Sequence, residues 1–339
     1  MEISIVIPVF NREKLIIRAL DSVMAQTHKH LHIIVIDNNS TDGTLAAVEQ
    51  YADSHRTDET RFTIASQPIP GAAAARHKGS ELADTEWIMF FDSDDTMLPD
   101  LVERYVNAIN SEDDQLMLVC TGATVQQPDG KLIEKPIFDR NPIENHIFHS
   151  FLATQRMIVR KSYLEQCGNW NHDAKIWNDW ELGLRVLLHR PNILWYRKMA
   201  FHKINVHSDS ITGENFSENY KPLIRTLSVA LSELNSSILQ PLSHYHAQHL
   251  SCLYPHLDHL VFPLYLRTCI LLGHIQNEKM VRKTNKNKLA AKSMKVFLHD
   301  NFNPKRKQKL LGEILRIYTM LGGRGAWRIA LAICKTHKK

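Results

Sequence analysis

Three carboxylates crowd into four positions at Asp92-Ser93-Asp94-Asp95, directly behind the apolar run Trp87-Ile88-Met89-Phe90-Phe91. Acids this close repel one another unless a cation sits among them. Hard divalent ions such as Mg2+ and Mn2+ take oxygen ligands and often share them with substrate phosphates. If the strand runs on into the acids, Asp92 and Asp94 leave it on the same side. The same residues also suit plainer work, with Asp95 capping the next helix and the others solvated in a loop. Further on, Asn178-Asp179-Trp180-Glu181 opens a helical pattern in which Trp177, Trp180, Leu184, Leu187 and Leu188 share one face. Asp179 at that start also suits a cap or a charge favourable to the helix dipole.

The apolar run before the acids reads as a strand buried on both faces, as in a parallel sheet. Such strands end at the carboxyl edge, where open α/β folds bind ligands. The residues before it repeat a strand–helix alternation. Ile3 to Phe10 is a first strand, in which Pro8 cannot donate to a ladder, so pairing is expected to fail there. Asn11 is placed to cap a helix carrying Leu15, Ile16, Ala19, Leu20, Val23 and Met24. Leu31 to Ile36 is a second strand, followed by the polar cluster Asp37 to Thr44 and a helix with Leu45, Val48 and Tyr51. Phe62 to Ala65 is a weak strand, Gly71 to Ala83 a small-residue helix, and Pro99 opens the first turn of a helix from Leu101 to Ile109. This order implies a doubly wound, mostly parallel sheet. Strands at 116–124, 131–137, 157–159 and 193–196 follow, with an amphipathic helix inside 170–190. Beyond Glu214 only helical periodicity remains.

The chain of 339 residues has a composition ordinary for a globular protein, 44% hydrophobic and 23% charged. No apolar stretch suggests a membrane span, and the N-terminus lacks a signal pattern. Five scattered cysteines without a C-x-x-C pair argue for reduced thiols and a cytoplasmic setting, and against a zinc knuckle. Residues 278–339 carry 17 Lys/Arg against 3 Asp/Glu, a charge of +14 that leaves −9 for the rest of the +5 chain. Within Phe302 to Lys339, Lys305-Arg306-Lys307 mixes with Leu310, Leu311, Ile314, Leu315 and Ile317. A basic amphipathic helix of this kind suits an anionic membrane surface, or else packs on the catalytic domain.

Five pieces of the first 210 or so residues stand in a familiar order: Ile5-Val6-Ile7-Pro8-Val9-Phe10-Asn11; Val35-Ile36-Asp37-Asn38-Asn39-Ser40-Thr41-Asp42-Gly43-Thr44; Gly71-x-x-x-Ala75-Arg76-x-x-Gly79; Phe91-Asp92-Ser93-Asp94-Asp95; and Asn178-Asp179-Trp180-Glu181-Leu182. With them the chain resembles glycosyltransferase family 2, the inverting nucleotide-sugar enzymes of the GT-A fold. The resemblance implies a GT-A domain over residues 1–213 and leaves residues 214–339 as a helical, basic C-terminal region. It implies that Pro8, Val9, Phe10 and Asn11, with Asp37 and Asn38, hold the uracil and ribose of a UDP-sugar. Arg76 and Lys78 would face the donor phosphates near a helix start, although Lys78 equally suits a solvated helix face. Asp92 and Ser93 would contact the nucleotide, Asp94 would bind Mn2+ or Mg2+, and His207 stands where some members place a metal-binding histidine. Asp179 falls on the catalytic base, with Asn178 where the family usually has Glu. His77, where Asn is common, receives no role. The implied acceptor is a glycan or lipid-linked hydroxyl in surface polysaccharide or lipopolysaccharide synthesis, and the enzyme would be cytoplasmic or peripheral at the inner face of the plasma membrane.

Other classes fit less well. No glycine lies in Pro8 to Lys14, which excludes a dinucleotide fingerprint, and no G-x-x-x-x-G-K-[ST] occurs. The basic tail accompanies no recognisable nucleic-acid fold, so no nucleic-acid partner is expected. A binding protein without catalysis is disfavoured by the presence of both the Asp92–Asp95 cluster and Asp179.

Overall fold

Strand and helix alternate from the first residues: β1 (Ile3–Val9), α1 (Ile16–Met24), β2 (Leu31–Asp37), α2 (Thr44–His55), β3 (Thr60–Ser66), α3 (Ala72–Leu82) and β4 (Trp87–Phe90). The structure is a computed structural model that describes residues 1–126, 129–205, 220–239, 258–281 and 285–337. β3, β2, β1 and β4 lie side by side in that order, all parallel. Every residue of β1, β2 and β4 is buried, which is why they read as unbroken apolar runs. Ile3, Ile5, Ile7 and Val9 of β1 pack with Leu20 of α1, Val48 of α2 and Tyr105 of α4 (Leu101–Asn110). The opposite face meets α3, where a Cβ added at Gly79 would stand 2.3 Å from Val6 Cγ1 and 3.2 Å from Ile36 Cγ1. Helices therefore cover both faces of the sheet, as the alternation implied.

Pro8 does not end the pairing. The ladder with β2 continues through Pro8↔Ile36 and Val9↔Asp37. Neighbouring residues of a strand aim their N–H groups to opposite sides: Ile3 donates toward the β2 side (His30 O, 3.1 Å), and Ser4 toward the β4 side (Thr85 Oγ1, 3.1 Å). Pro8 shares the side of Ser4, where pairing with β4 has already ended at Val6↔Phe90. Its missing donor thus removes no ladder bond.

Past β4 the sheet is mixed. β5 (Thr96–Met97), β6 (Leu116–Gln126), β7 (Leu132–Lys135), β8 (Met157–Arg160) and β9 (Asn192–Asn205) complete nine strands among the described residues. The order continues β4-β8-β6-β9-β5, with β7 on β6. Of these pairs only β6–β9 is parallel. Other expectations shift as well. α1 begins at Ile16 without a side-chain cap, and Asn11 instead adopts φ 50° and accepts a hydrogen bond from Thr41 N–H. Asp100 is the N-cap of α4, so Pro99 lies outside its first turn.

Two units make up the chain: residues 1–139 with 151–210, and residues 140–150 with 211–339. α6 (Lys161–Gln166) and α7 (Asn178–Leu188) belong to the first. α7 is buried on nearly all sides rather than amphipathic, because its polar Glu181 and Arg185 satisfy one another as an ion pair. The second unit contains α5 (Pro142–His149), which the sequence reading missed, α8 (Tyr220–Leu239), α9 (Asp258–Val281), α10 (Asn285–Asn301), α11 (Arg306–Met320) and α12 (Ala326–His337). α9 touches all five others, and its Arg267 donates to Ile147 O of α5 while lying 5.3 Å from the Trp327 ring centroid. Among the described residues no helix is long and apolar enough to cross a membrane. Cys120, Cys167, Cys269 and Cys334 are buried free thiols; Cys252 lies outside the described residues.

The close contact of α3 with the sheet is testable. In Gly79→Val the added carbons must displace Val6 and Ile36. Overpacking of this kind costs about 1–3 kcal/mol. Urea unfolding followed by tryptophan fluorescence should show that loss, and an unchanged midpoint would refute the contact.

Candidate active site

The loops after β1 and β2 form one knitted rim at the carboxyl edge of the sheet. Asn38 N–H donates to Val9 O (2.8 Å), Asn11 N–H to Ser40 Oγ (3.0 Å) and Arg12 N–H to Thr44 Oγ1 (2.8 Å). Asp37 is buried, and its Oδ2 accepts from Ser40 N–H (3.2 Å) while its Oδ1 has no partner. A buried acceptor without a donor is uncommon and points to a group yet to arrive. Asn38 is different. Its Nδ2 donates to Gln67 O (2.7 Å) and Ile69 O (2.8 Å), and its Oδ1 accepts from Gly71 N–H (2.7 Å). The Asn38 side chain therefore holds the β3–α3 connection in place. Pro8 and Val9 are buried in β1, while the Phe10 ring is 52% exposed on the rim.

The acid cluster departs from the expected strand geometry. Pairing stops at Phe90, and the backbone turns, with Asp95 N–H donating to Asp92 O (3.3 Å). Alternation along a strand no longer applies, so Asp92 and Asp94 part company. Asp92 Oδ1 accepts from Arg76 Nη2 (2.6 Å), and its Oδ2 from Gln155 Nε2 (3.1 Å). The same Gln155 amide also donates to Asp95 Oδ2. Asp94 turns to Arg12, whose Nε lies 3.5 Å from its Oδ2, and its carbonyl accepts from Arg18 Nη2. Ser93 is buried between them. Every acid in the cluster offers only oxygen, the donor type Mg2+ and Mn2+ prefer. Among the described residues no three metal-ligating side chains converge.

Arg76 on α3 joins this cluster to α7. It is 6% exposed, donates from Nη1 to Asn178 Oδ1 (2.8 Å), and lies 4.7 Å from the Trp170 ring centroid. Trp170 is itself fixed by His77, whose Nδ1–H donates to its carbonyl (2.9 Å). Asp179 follows Asn178 directly. It is not the N-cap, a position held by Trp177, but its Oδ1 accepts from Trp180 N–H (2.8 Å). Burial pushes the Asp179 pKa up from the usual carboxylate range and the negative charge of Asp92 adds to the rise, while Arg76 and the Trp180 N–H oppose it. Glu181, the next acid on α7, is fully buried and paired with Arg185, so it offers no carboxylate to a ligand.

Of the residues singled out in the sequence, Arg76, Asp92 and Asp179 meet in one place, and Asp94 and the Asn11 loop border it. Lys78 does not join them. It sits about 200° around α3 from Arg76, partly exposed and 3.4 Å from Glu81. His207 lies outside the described residues. Sequence reasoning missed Arg12, Arg18, Trp170 and Gln155. Arg12 abuts the Pro8–Asn11 motif and was within reach. Gln155 lies 60 residues from Asp95 and carries no local signal.

A family model described as Glycosyl transferase family 2 matches residues 4–167; α7 with Asp179 lies beyond that match. EpsH of Bacillus subtilis, named as a glycosyltransferase, is 26% identical over 253 residues, 70% of this chain and 69% of its own length. The structure of Staphylococcus aureus TarS in complex with UDP-GlcNAc superposes with a TM-score of 0.64 at 16% identity, covering 99% of this chain and 92% of that one. The Pyrobaculum calidifontis mannosyltransferase PcManGT, in complex with GDP-Man and Mn2+, gives a TM-score of 0.50 at 16% identity, over 100% and 88% of the two chains. These two share the fold seen here. Within the first unit, residues 4–167 thus match glycosyltransferase family 2, and the fold is that of the GT-A transferases.

Proposed function

We propose that the enzyme moves a sugar from a UDP-sugar to an acceptor hydroxyl with inversion, aided by a divalent ion. The observation that carries this reading is the Arg76 bridge to Asp92 and Asn178, which sets Asp179 beside the acids at the sheet's carboxyl edge. TarS and PcManGT were solved with UDP-GlcNAc and with GDP-Man and Mn2+, respectively, which supports a nucleotide-sugar donor and a divalent ion here.

In this reading the unpartnered Asp37 Oδ1 accepts a donor hydrogen from uracil, and Pro8 to Asn11 line the nucleoside, with the exposed Phe10 ring as an apolar face. Asp92 and Ser93 meet the ribose side. Arg76, with Arg12 nearby, attracts the diphosphate. Asp94 would hold Mn2+ or Mg2+, and that ion supplies charge neutralisation for the leaving diphosphate. Asp179 accepts the proton of the acceptor hydroxyl as its oxygen bonds to the anomeric carbon. The bond from that carbon to the diphosphate oxygen breaks with its electron pair on the UDP, and the configuration inverts. A raised pKa suits Asp179, because a stronger base takes the proton more readily. The acceptor is a growing glycan or a lipid-linked sugar of a surface polysaccharide. A panel of nucleotide sugars, scored for hydrolysis and transfer, tests the donor: no turnover of any UDP-sugar would overturn that assignment.

Two further outcomes are expected. Chelator should abolish turnover, and Mn2+ or Mg2+ should restore it; Asp94→Ala should lose most activity at an unchanged melting temperature. Turnover that survives chelation would sink the metal assignment. Asp179→Asn should lose at least about a hundredfold in transfer rate while keeping donor affinity. In the wild type, kcat/KM should fall as pH drops through the raised pKa of Asp179, above the ordinary carboxylate range. A folded-state pKa raised in this way disfavours the ionised form and costs stability as pH rises through it. The Asn variant should thus melt no lower than wild type at neutral pH, and its residual rate should lack the acid limb. Near-normal transfer in Asp179→Asn would place the base elsewhere.

A further inference from the structure

One helix of the second unit turns a row of large apolar side chains to solvent. Leu310 is 62% exposed, Ile314 53%, Ile317 42%, Tyr318 38% and Leu321, just past the end of α11, 69%. At 100° per residue, Leu310, Ile314, Ile317 and Leu321 fall within about 60° of one another. Gly312, Leu315 and Thr319 are buried on the opposite side. That side is docked closely on α9. A Cβ at Gly312 would stand 2.6 Å from Tyr265 Cε1, and one at Gly273 of α9 2.5 Å from Arg316 O. Asn277 Nδ2 donates to Met320 O (2.8 Å), and Arg316 Nη1 to Gln276 Oε1 (2.5 Å). The helix therefore already uses its packing face, and the exposed row is a second apolar face. A contiguous row of this kind marks an interaction site.

Charge narrows the occupant. Lys305, Arg306, Lys307, Lys309, Arg324, Arg328 and Lys335 of α11, α12 and their flanks are all exposed. From Lys305 to Lys335 there are eight Lys/Arg and one acid, Glu313, which is paired with Arg316 (2.7 Å). Arg306 and Lys307 lie on the two flanks of the apolar row at its start, and Arg324 and Arg328 follow its end. A second copy of the chain meeting this face about a two-fold axis would set two cationic rims against each other. A nucleic acid would match the cations but give the aliphatic row nothing to contact. An anionic lipid surface matches both at once.

We propose that α11 lies on an anionic lipid leaflet, with Leu310, Ile314, Ile317 and Leu321 entering the headgroup–acyl boundary and the flanking Lys and Arg on the headgroups. The proposal adds a partner to the second unit and does not depend on the donor chemistry, which hydrolysis of a nucleotide sugar in solution reports separately. The test is sedimentation of the full chain with vesicles of phosphatidylcholine, alone or mixed with phosphatidylglycerol. The expected result is binding to the mixed vesicles only, weakening with added salt. Ile314→Ser combined with Ile317→Ser should bind at least about tenfold more weakly. Arg306→Glu combined with Lys307→Glu should do the same, since each cation near such a surface changes partition about fivefold. All four positions are exposed, so circular dichroism should be unchanged. If the Ile314/Ile317 pair melts early, Leu310→Ser with Leu321→Ser, at still more exposed positions, replaces it. Absence of binding to the mixed vesicles overturns the proposal. So does binding that the serine variants leave undiminished, or a wild-type dimer that these variants dissociate without any vesicle effect.

Discussion

A buried guanidinium has few ways to exist: it needs partners for its charge and its N–H groups, because water is not there to serve. Arg76 draws together segments far apart in sequence to serve its two Nη groups, while its Nε has no hydrogen-bond partner. Asp92 comes from the end of β4, Asn178 from the start of α7, and Trp170 from the stretch between α6 and α7. Removing this one cation would leave Asp92 with only the Gln155 amide and leave Asn178 without its donor. The bridge also bears on the Asn178 position, where the resembled family usually carries Glu. A Glu would put a second carboxylate on Arg76. The neutral Asn keeps the hydrogen bond and leaves the guanidinium with one directly bound counter-charge, Asp92, and so with more attraction for a diphosphate.

Backbone strain supports the same spot. Trp177 has φ 53°, a left-handed conformation unusual for a bulky side chain. Residues held in this region persist where surrounding structure over-determines them, and they cluster at functional sites. Here the strain falls immediately before Asn178 and Asp179, while α7 behind them is anchored by Arg185 donating to Cys167 O and by Tyr163 donating to Val186 O (2.7 Å). The half-buried Asp179 carboxylate thus follows a strained turn at the head of a helix tied into its surroundings, in a setting where burial raises its pKa.

The first half of the fold was legible because burial on both faces writes itself as unbroken apolar runs, and the helices between them carry clear periodicity. β5 was not legible, since two residues have no period. α7 was misread as amphipathic because a buried ion pair looks like a polar face until its partners are known. α5 was missed because His146 and Glu144, both buried, obscure an apolar stripe. In the site, Asp37, Arg76, Asp92 and Asp179 stood out through the motifs that carry the family resemblance. Gln155 was not, because its role depends on a long-range contact that no local pattern encodes. Lys78 illustrates the converse. Its type fitted a phosphate, but its position on α3 turns it away from Arg76.

The crowding of carboxylates that first drew attention resolves into separate pairings. Asp92 is neutralised by Arg76, Asp94 by Arg12, and Asp95 shares the Gln155 amide with Asp92. Two of the acids thus have an arginine each and the third shares an amide, which lets three carboxylates stand within four positions. The arrangement is also poised for exchange. A diphosphate arriving at the rim competes for the guanidinium groups of Arg12 and Arg76, since phosphate oxygens are strong acceptors for Arg. Whatever Arg12 gives to phosphate it withdraws from Asp94, and an Asp94 carboxylate losing its counter-charge gains affinity for a divalent cation. In the proposed reading, binding of nucleotide and of metal at this edge would reinforce each other through Arg12, a residue whose only sequence signal was to stand next to the Pro8–Asn11 motif.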